Sequence, residues 1–335
     1  MQQLPVLEVH HIKENAMQKW QTYAVLEGTS KTVSGIAQDL VGRAMTTIEL
    51  GCVAAMMIGI MQAAGGFIGF WRRVSIGKAE LSSLAPNRAI IWAILFGFMA
   101  GIPGTIVSLY TFTLGAEFSA RTLLISASII PGAILGRYVW GSVTDPLGLR
   151  QWIGMAVFIG ACWAILGFPG GFNFEPWVWW TLVITFTQPV NEFLSRKAAD
   201  AKLDPWTNNF WVGTSTVFWT FLALVAWISV FGSSDQHFSS SLVLGSLLLG
   251  LIVTGMISFK LLSYAGGGTI ALKKVIMQGT YLVTFTFIGI FFYHQPFTGG
   301  HLVGILLFLP AFALIDKDTW KGIQAFLRPP QKRAV

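Results

Sequence analysis

Charge is scarce in this chain. Only 11% of its 335 residues are Asp, Glu, Lys or Arg, where a soluble domain carries about 25%. That scarcity excludes an ordinary water-facing surface. Cysteine is nearly missing as well. Cys52 and Cys162 are the only two, they lie in apolar runs far apart, and they supply neither a disulfide framework nor a metal spacing. His294 and His301 flank one loop with no third ligand at a suitable distance, so no metal is expected. The sequence contains no nucleophile–base pair, no glycine-rich phosphate loop ending in Lys-Ser/Thr and no zinc signature. An enzyme is therefore not expected, and neither is a cofactor.

What the chain has instead is apolar length. Hydrophobic residues make up 54% of it, with a mean hydropathy of +0.64. Several runs approach or reach the ~20 residues that cross ~30 Å of hydrocarbon. Nine spans are expected, at about 50–71, 89–114, 120–140, 151–168, 177–194, 210–231, 242–264, 270–292 and 302–315. The fold class is thus all-α, a polytopic membrane helix bundle of 9–10 transmembrane helices embedded in a lipid bilayer. The net charge of +7 belongs to topology and not to nucleic acid. With the C-terminal tail placed in the cytoplasm, Arg72, Arg73, Lys78, Arg88, Arg150, Arg196, Lys197, Lys202, Lys273 and Lys274 all fall inside, and apart from the N-terminal region only Arg121 falls outside. That strong bias suits a bacterial inner membrane.

Residues 1–48 stand apart. No 18-residue window there is free of charge, and a basic start followed by an apolar block is missing, which excludes a secretory signal. Val33, Ile36, Leu40 and Val41 would share one side of a helix. The region reads as one or two amphipathic helices on the membrane surface, with a disordered tail or a tenth, polar span as alternatives. It is also the candidate contact for a homodimer or a membrane-protein partner.

The chain repeats itself. Leu114 to Ile165 and Tyr264 to Ile315 share a layout at an offset of 150 residues. Pro146 falls on Pro296, Gly154 on Gly304, Phe158 on Phe308, Ala161 on Ala311 and Ile165 on Ile315. The organisation expected is an N-terminal region at 1–48, a first repeat of four clear spans at 49–168, a second repeat of five spans at 177–316, and a basic cytoplasmic tail at 317–335. A repeat of this size in a membrane chain points to two inverted halves with a site where they meet.

Three stretches carry a resemblance. Leu149-Arg-Gln-Trp-Ile-Gly-Met-Ala-Val-Phe-Ile-Gly160, Ser119 to Pro131, and Trp177 to Lys197 with its Ser-Arg-Lys close resemble helices of the drug/metabolite transporter superfamily, EamA type. His301 to Gly304 and Thr269 to Gly279 fill the matching places in the second half. The resemblance covers about residues 43–316 and implies ten helices, five per half. It further implies transport of a small polar metabolite by rocking one half against the other. The helix that should open the first half falls on about 20–42, which is too polar for an ordinary span. The alternatives are a non-transporting membrane scaffold on the same fold, or an organophosphate or nucleotide-sugar type of carrier.

Polar residues inside spans are the candidate contacts. Ser128 and Gln278 are partners under the 150-residue offset, and Ser126, Thr280 and Tyr281 lie near them. Hydroxyls in such places commonly bond back to their own helix. Gln188, Asn191 and Glu192 share a face, where Asn191 could hold an amine or hydroxyl and Glu192 could pair with Arg196. Lys273 and Lys274 open a span after a glycine-rich turn, and would suit a carboxylate or phosphate. Basic residues at that place in the superfamily's phosphosugar carriers add to that reading, against a plain topology signal. Lys260 joins them or snorkels. Trp163, deep in its span, stacks on a substrate or faces lipid. No carboxylate is central to a span, which disfavours proton-coupled efflux of cations. No ATP-binding segment is found, so facilitated diffusion, exchange or an ion gradient would drive any transport.

Overall fold

The computed structural model describes residues 6–116, 118–139, 148–166, 175–233, 238–268, 270–293, 297–315 and 320. Pro146, Pro296, His294, Glu117 and the basic tail fall outside them. Among the described residues the regular structure is helical throughout. Helix α1 (Val6–Ala44) and α2 (Ile48–Ser75) are followed by a 3-10 turn (Leu81–Leu84). Next come α3 (Arg88–Gly101), a π turn (Ile102–Ile106), α4 (Val107–Thr113), α5 (Phe118–Ser126), α6 (Ile129–Tyr138) and α7 (Leu149–Leu166). The remainder is α8 (Pro176–Asp200), α9 (Pro205–Phe231), α10 (Ser240–Ala265), α11 (Ile270–Tyr293) and α12 (Gly299–Ile315).

Local chemistry sets the helix ends. Thr47, Asn87, Asp204 and Ser239 each accept hydrogen bonds from first-turn N–H groups of α2, α3, α9 and α10. Among the described residues, four stretches are long and apolar enough to cross a membrane: Ile48–Ser75, Arg88–Thr113, Pro205–Phe231 and Ser240–Ala265. Their outward faces carry large apolar side chains such as Ile68, Phe218, Phe221 and Leu248, as hydrocarbon requires.

Two antiparallel helix pairs flank the bundle. In α2–α9, a Cβ on Gly66 would lie 2.3 Å from the Phe210 backbone nitrogen, and one on Gly59 2.9 Å from the Gly213 carbonyl. The helices therefore touch backbone to backbone. Gln62 donates to Asn209 at 2.9 Å within this contact, and Arg73 pairs with Asp204 at its end. In α7–α12 the contact is reciprocal: Gly154 meets Leu314 and Ile315, while Gly304 meets Ala161 and Ile165. Phe158 and Phe308 meet between them as a tilted pair, ring centres 5.7 Å apart.

The N-terminal region is not a surface helix. Residues 20–44 of α1 pack inside the bundle against α10, α11 and α4. Gly28 sits on the Met277 carbonyl and Gly42 on the Leu109 carbonyl. The expected apolar face is the wrong one, since Val33 and Leu40 are exposed and only Val41 of the pair at 40–41 is buried. The face turned inward is polar. Glu27, Lys31, Ser34 and Gln38 fall at i, i+4, i+7 and i+11, within a narrow stripe of one helical face. They are tolerated there because each finds a polar partner.

Two helices are interrupted beside the bundle centre. Pro103 has no N–H for a helical bond, and the chain around it widens into the π turn, where Thr105 donates to the Ala100 carbonyl at 2.8 Å. Pro131 likewise leaves the Ala127 carbonyl without its helical donor, and the chain breaks at residues 127–128, between α5 and α6.

Candidate functional site

A cavity of about 140 Å³ lies between α1, α3–α5, α8, α10 and α11. Helices α2, α7, α9 and α12 contribute nothing to its lining. One wall is the inward stripe of α1, with Lys31, Ser34 and Gln38. The π turn supplies Gly104 and Thr105, α5 supplies Arg121 and Thr122, and α11 supplies Gln278 and Tyr281. Apolar residues of α10 and α3, such as Met256 and Phe96, complete it.

The polar walls are held by two sets of hydrogen bonds. Lys31 donates to Gln278 at 2.9 Å, and Gln278 donates to Ser126 at 2.7 Å. The Lys31 ammonium also lies 5.3 Å from the Tyr281 ring centre, and the Tyr281 hydroxyl shares a hydrogen bond with Thr122 at 3.2 Å. Arg121 donates to Thr111 at 2.8 Å and to Ser108. Ser108 donates to Gln38 at 3.0 Å, and Gln38 donates to Ser34 at 3.3 Å. Phe112 covers the Arg121 guanidinium at 4.5 Å, a cation–π contact that helps to offset lost hydration.

Beside the cavity is a charged cluster. Glu192 pairs with Lys260 at 2.9 Å and with Lys273 at 2.8 Å, and Lys273 pairs with Glu27 at 2.8 Å. Tyr264 donates its hydroxyl to Glu192. Two acids and two bases thus link α1, α8, α10 and α11. All four are buried, and such groups are stable in low dielectric only because they are paired and hydrogen-bonded. Lys260 also reaches the cavity wall.

The residues singled out from sequence separate into three groups. Gln278, Tyr281 and Asn191 line the cavity. Ser128, Lys273 and Lys274 are buried next to it. Lys274 donates to Ser128, and the two share a small void with Pro189 and Glu192. Lys273 is neutralised by its two carboxylates and does not form an open anion site with Lys274. Trp163 is 37% exposed on α7, a helix absent from the cavity lining, so it does not reach the cavity. Glu192 faces the two lysines and not Arg196, and Lys260 joins the cluster in place of snorkelling. Glu192, expected near the inner end of its span, and Glu27 are both buried within the bundle. Ser126 donates to the Thr122 carbonyl at 2.8 Å, the back-bonding expected of a helical hydroxyl, and still accepts from Gln278. Of the five histidines, the described residues hold no cluster of three or more His, Cys, Asp or Glu fit for a metal ion.

Sequence reasoning missed Lys31, Ser34, Gln38 and Arg121. A signal existed for three of them in the polar stripe along 27–38. Arg121 had a signal too, as the one basic residue against the charge bias.

No protein-family model matches the chain, and no curated protein matches it. A solved protein crystal structure aligns over 90% of this chain and 97% of its own, with a TM-score of 0.60 and 15% sequence identity. That likeness is one of fold.

Proposed function

We propose that this chain is a membrane carrier for a small polar metabolite, built from two halves of five membrane-crossing segments that rock about the central cavity. The halves are α1, α2, α3–α4, α5–α6 and α7, then α8, α9, α10, α11 and α12. The observation that carries this reading is the cavity itself: hydrogen-bonded, lined by polar side chains, and enclosed by segments from both halves. Polar groups in a membrane interior are expensive and mark a pathway or site.

Packing supports the division into halves. Exchanging first for second turns the α1–α10 contact into α8–α3, α2–α10 into α9–α3, and α1–α11 into α8–α5 and α8–α6. Each of those contacts is present. The α2–α9 and α7–α12 pairs map onto themselves, as a two-fold relation requires. The reciprocal contacts of Gly154 and Gly304 follow the 150-residue offset read from the sequence. On this reading α1 is the tenth span, the EamA-type count of ten is met, and both termini lie in the cytoplasm. With α1 inside the bundle, the missing helix no longer favours a non-transporting scaffold. The interrupted helices beside the cavity, at the π turn and at residues 127–128, are the usual place for substrate contacts in repeat-built carriers.

A thermal-shift screen of the purified protein in detergent tests the reading. Saturable stabilisation by one class of small polar metabolite, lost in Gln278→Ala, is expected. A stabilising compound whose effect survives Gln278→Ala, Asn191→Ala and Ser34→Ala alike would put its site elsewhere and remove the cavity from the mechanism.

A further inference from the structure

Among the described residues, five cations, Lys31, Arg121, Lys260, Lys273 and Lys274, lie around the cavity with two fully buried carboxylates, Glu27 and Glu192, while Asp39 beside Gln38 is part-exposed and paired with Arg43. The two carboxylates are taken by Lys260 and Lys273. Lys31, Arg121 and Lys274 have hydroxyl, amide or aromatic partners and no acid in ion-pair contact. Of these three, Lys31 and Arg121 line the cavity and Lys274 does not.

A cation buried without a counter-ion is costly. Were Lys31 and Arg121 there only to join helices, a neutral residue would serve at lower cost, or a carboxylate would accompany them as it does Lys260 and Lys273. The unpaired positive charge of Lys31 on α1 and of Arg121 on α5 lines one shared cavity instead. Arg121 has five N–H donors in a planar fork, a shape that matches carboxylate and phosphate oxygens. Its hydrogen bonds to Thr111 and Ser108 fix its orientation. Asn191, which lines the same cavity, is 5% exposed and its Oδ1 has no hydrogen-bond partner. A buried acceptor left open calls for a donor.

We propose that the cavity takes an anion, a carboxylate or phosphate group held between Lys31 and Arg121, on a compound whose hydroxyl or amine donates to Asn191. The assignment deepens the carrier reading and rests on it. The anion offsets the charge of Lys31 and Arg121, which line the cavity. Lys260, which touches both the cavity and Glu192, is where a bound anion meets the Glu27–Lys273–Glu192–Lys260 cluster.

The test uses the full-length protein in neutral detergent and chloride-free buffer. Melting temperature is followed against malate, glycerol 3-phosphate, malamide, glycerol and 1,4-diaminobutane. At least one of the two anions is expected to give a saturable rise, with none from its uncharged counterpart or from the diamine. Half-saturation should move up tenfold or more in Arg121→Gln and in Lys31→Gln, recover in Arg121→Lys, and hold in Lys274→Gln, whose cation lies off the cavity. Phosphatidylglycerol in mixed micelles separates the two sources of such a group. A shift from the lipid and not from glycerol 3-phosphate assigns the site to a lipid headgroup. Where the glutamine variants do not fold, the contrast between malate and malamide in the native protein decides alone. The proposal is overturned if neither anion nor lipid shifts the melting point, or if malamide or the diamine does so as strongly. Those results would leave the carrier reading standing, since two-sided access to the cavity is measured independently.

Discussion

At the scale of single residues, Glu192 holds the interior together. Among the described residues it is the only carboxylate paired with Lys260 and one of two paired with Lys273. Removing one member of a buried ion pair leaves an uncompensated charge, at a cost of about 3–5 kcal/mol. Glu192→Gln should therefore lower the melting temperature in detergent sharply. Glu27→Gln should cost less, because Lys273 keeps Glu192. Equal losses in the two variants would argue against this division of labour. Part of the site was legible from sequence at this scale. Gln278 and Tyr281 are polar side chains in the middle of an apolar run, and Asn191 lies on a polar face. Lys31 and Arg121 were not, because Lys31 lies in a region whose charges read as a surface helix, and Arg121, near a span end, reads as a topology signal. Only contact with Gln278, or with Ser108 and Thr111, tells the two roles apart.

At the scale of elements, helix contacts are set by glycines and helix breaks by prolines. A methyl at Gly66 would stand 2.3 Å from backbone, while Gly255 and Gly160 face open space. Gly66→Ala should destabilise by about 1–3 kcal/mol through overpacking. Gly255→Ala and Gly160→Ala should be neutral or stabilise by up to about 1 kcal/mol, through helix propensity. Thermal melts of the three variants check the ordering. Helix α1 shows where apolar length misleads. Its 39 residues span about 58 Å at the usual rise, more than enough to cross a bilayer, yet its charges kept it from reading as a span. Its partners, Lys273 and Gln278, are some 240 residues away in sequence, so the neutralisation of Glu27 and Lys31 is invisible locally. Deletion of residues 1–44 removes one wall of the cavity and the Glu27 carboxylate. The shortened chain is expected to lose its monodisperse peak in size-exclusion chromatography. A sharp peak at native melting temperature would return α1 to the surface role its composition suggested.

At the scale of the whole molecule, the lipid-facing shell was legible in the sequence. Long apolar runs and the scarcity of charge read directly, and Gly154 against Ile315 and Gly304 against Ile165 are contacts spaced by the same 150 residues. The polar interior was not legible, because its members come from six segments that only the fold brings together. The carrier reading requires that interior to open to each side of the membrane in turn, and thiol accessibility measures this without knowledge of the cargo. Ser34 lines the cavity and is 2% exposed. A Ser34→Cys chain with Cys52→Ala and Cys162→Ala would be probed with a membrane-impermeant thiol reagent in right-side-out and in inside-out vesicles. Labelling from both sides is the expected result. Labelling from one side only, or from neither, would contradict alternating access and leave a fixed polar interior in a protein that does not transport.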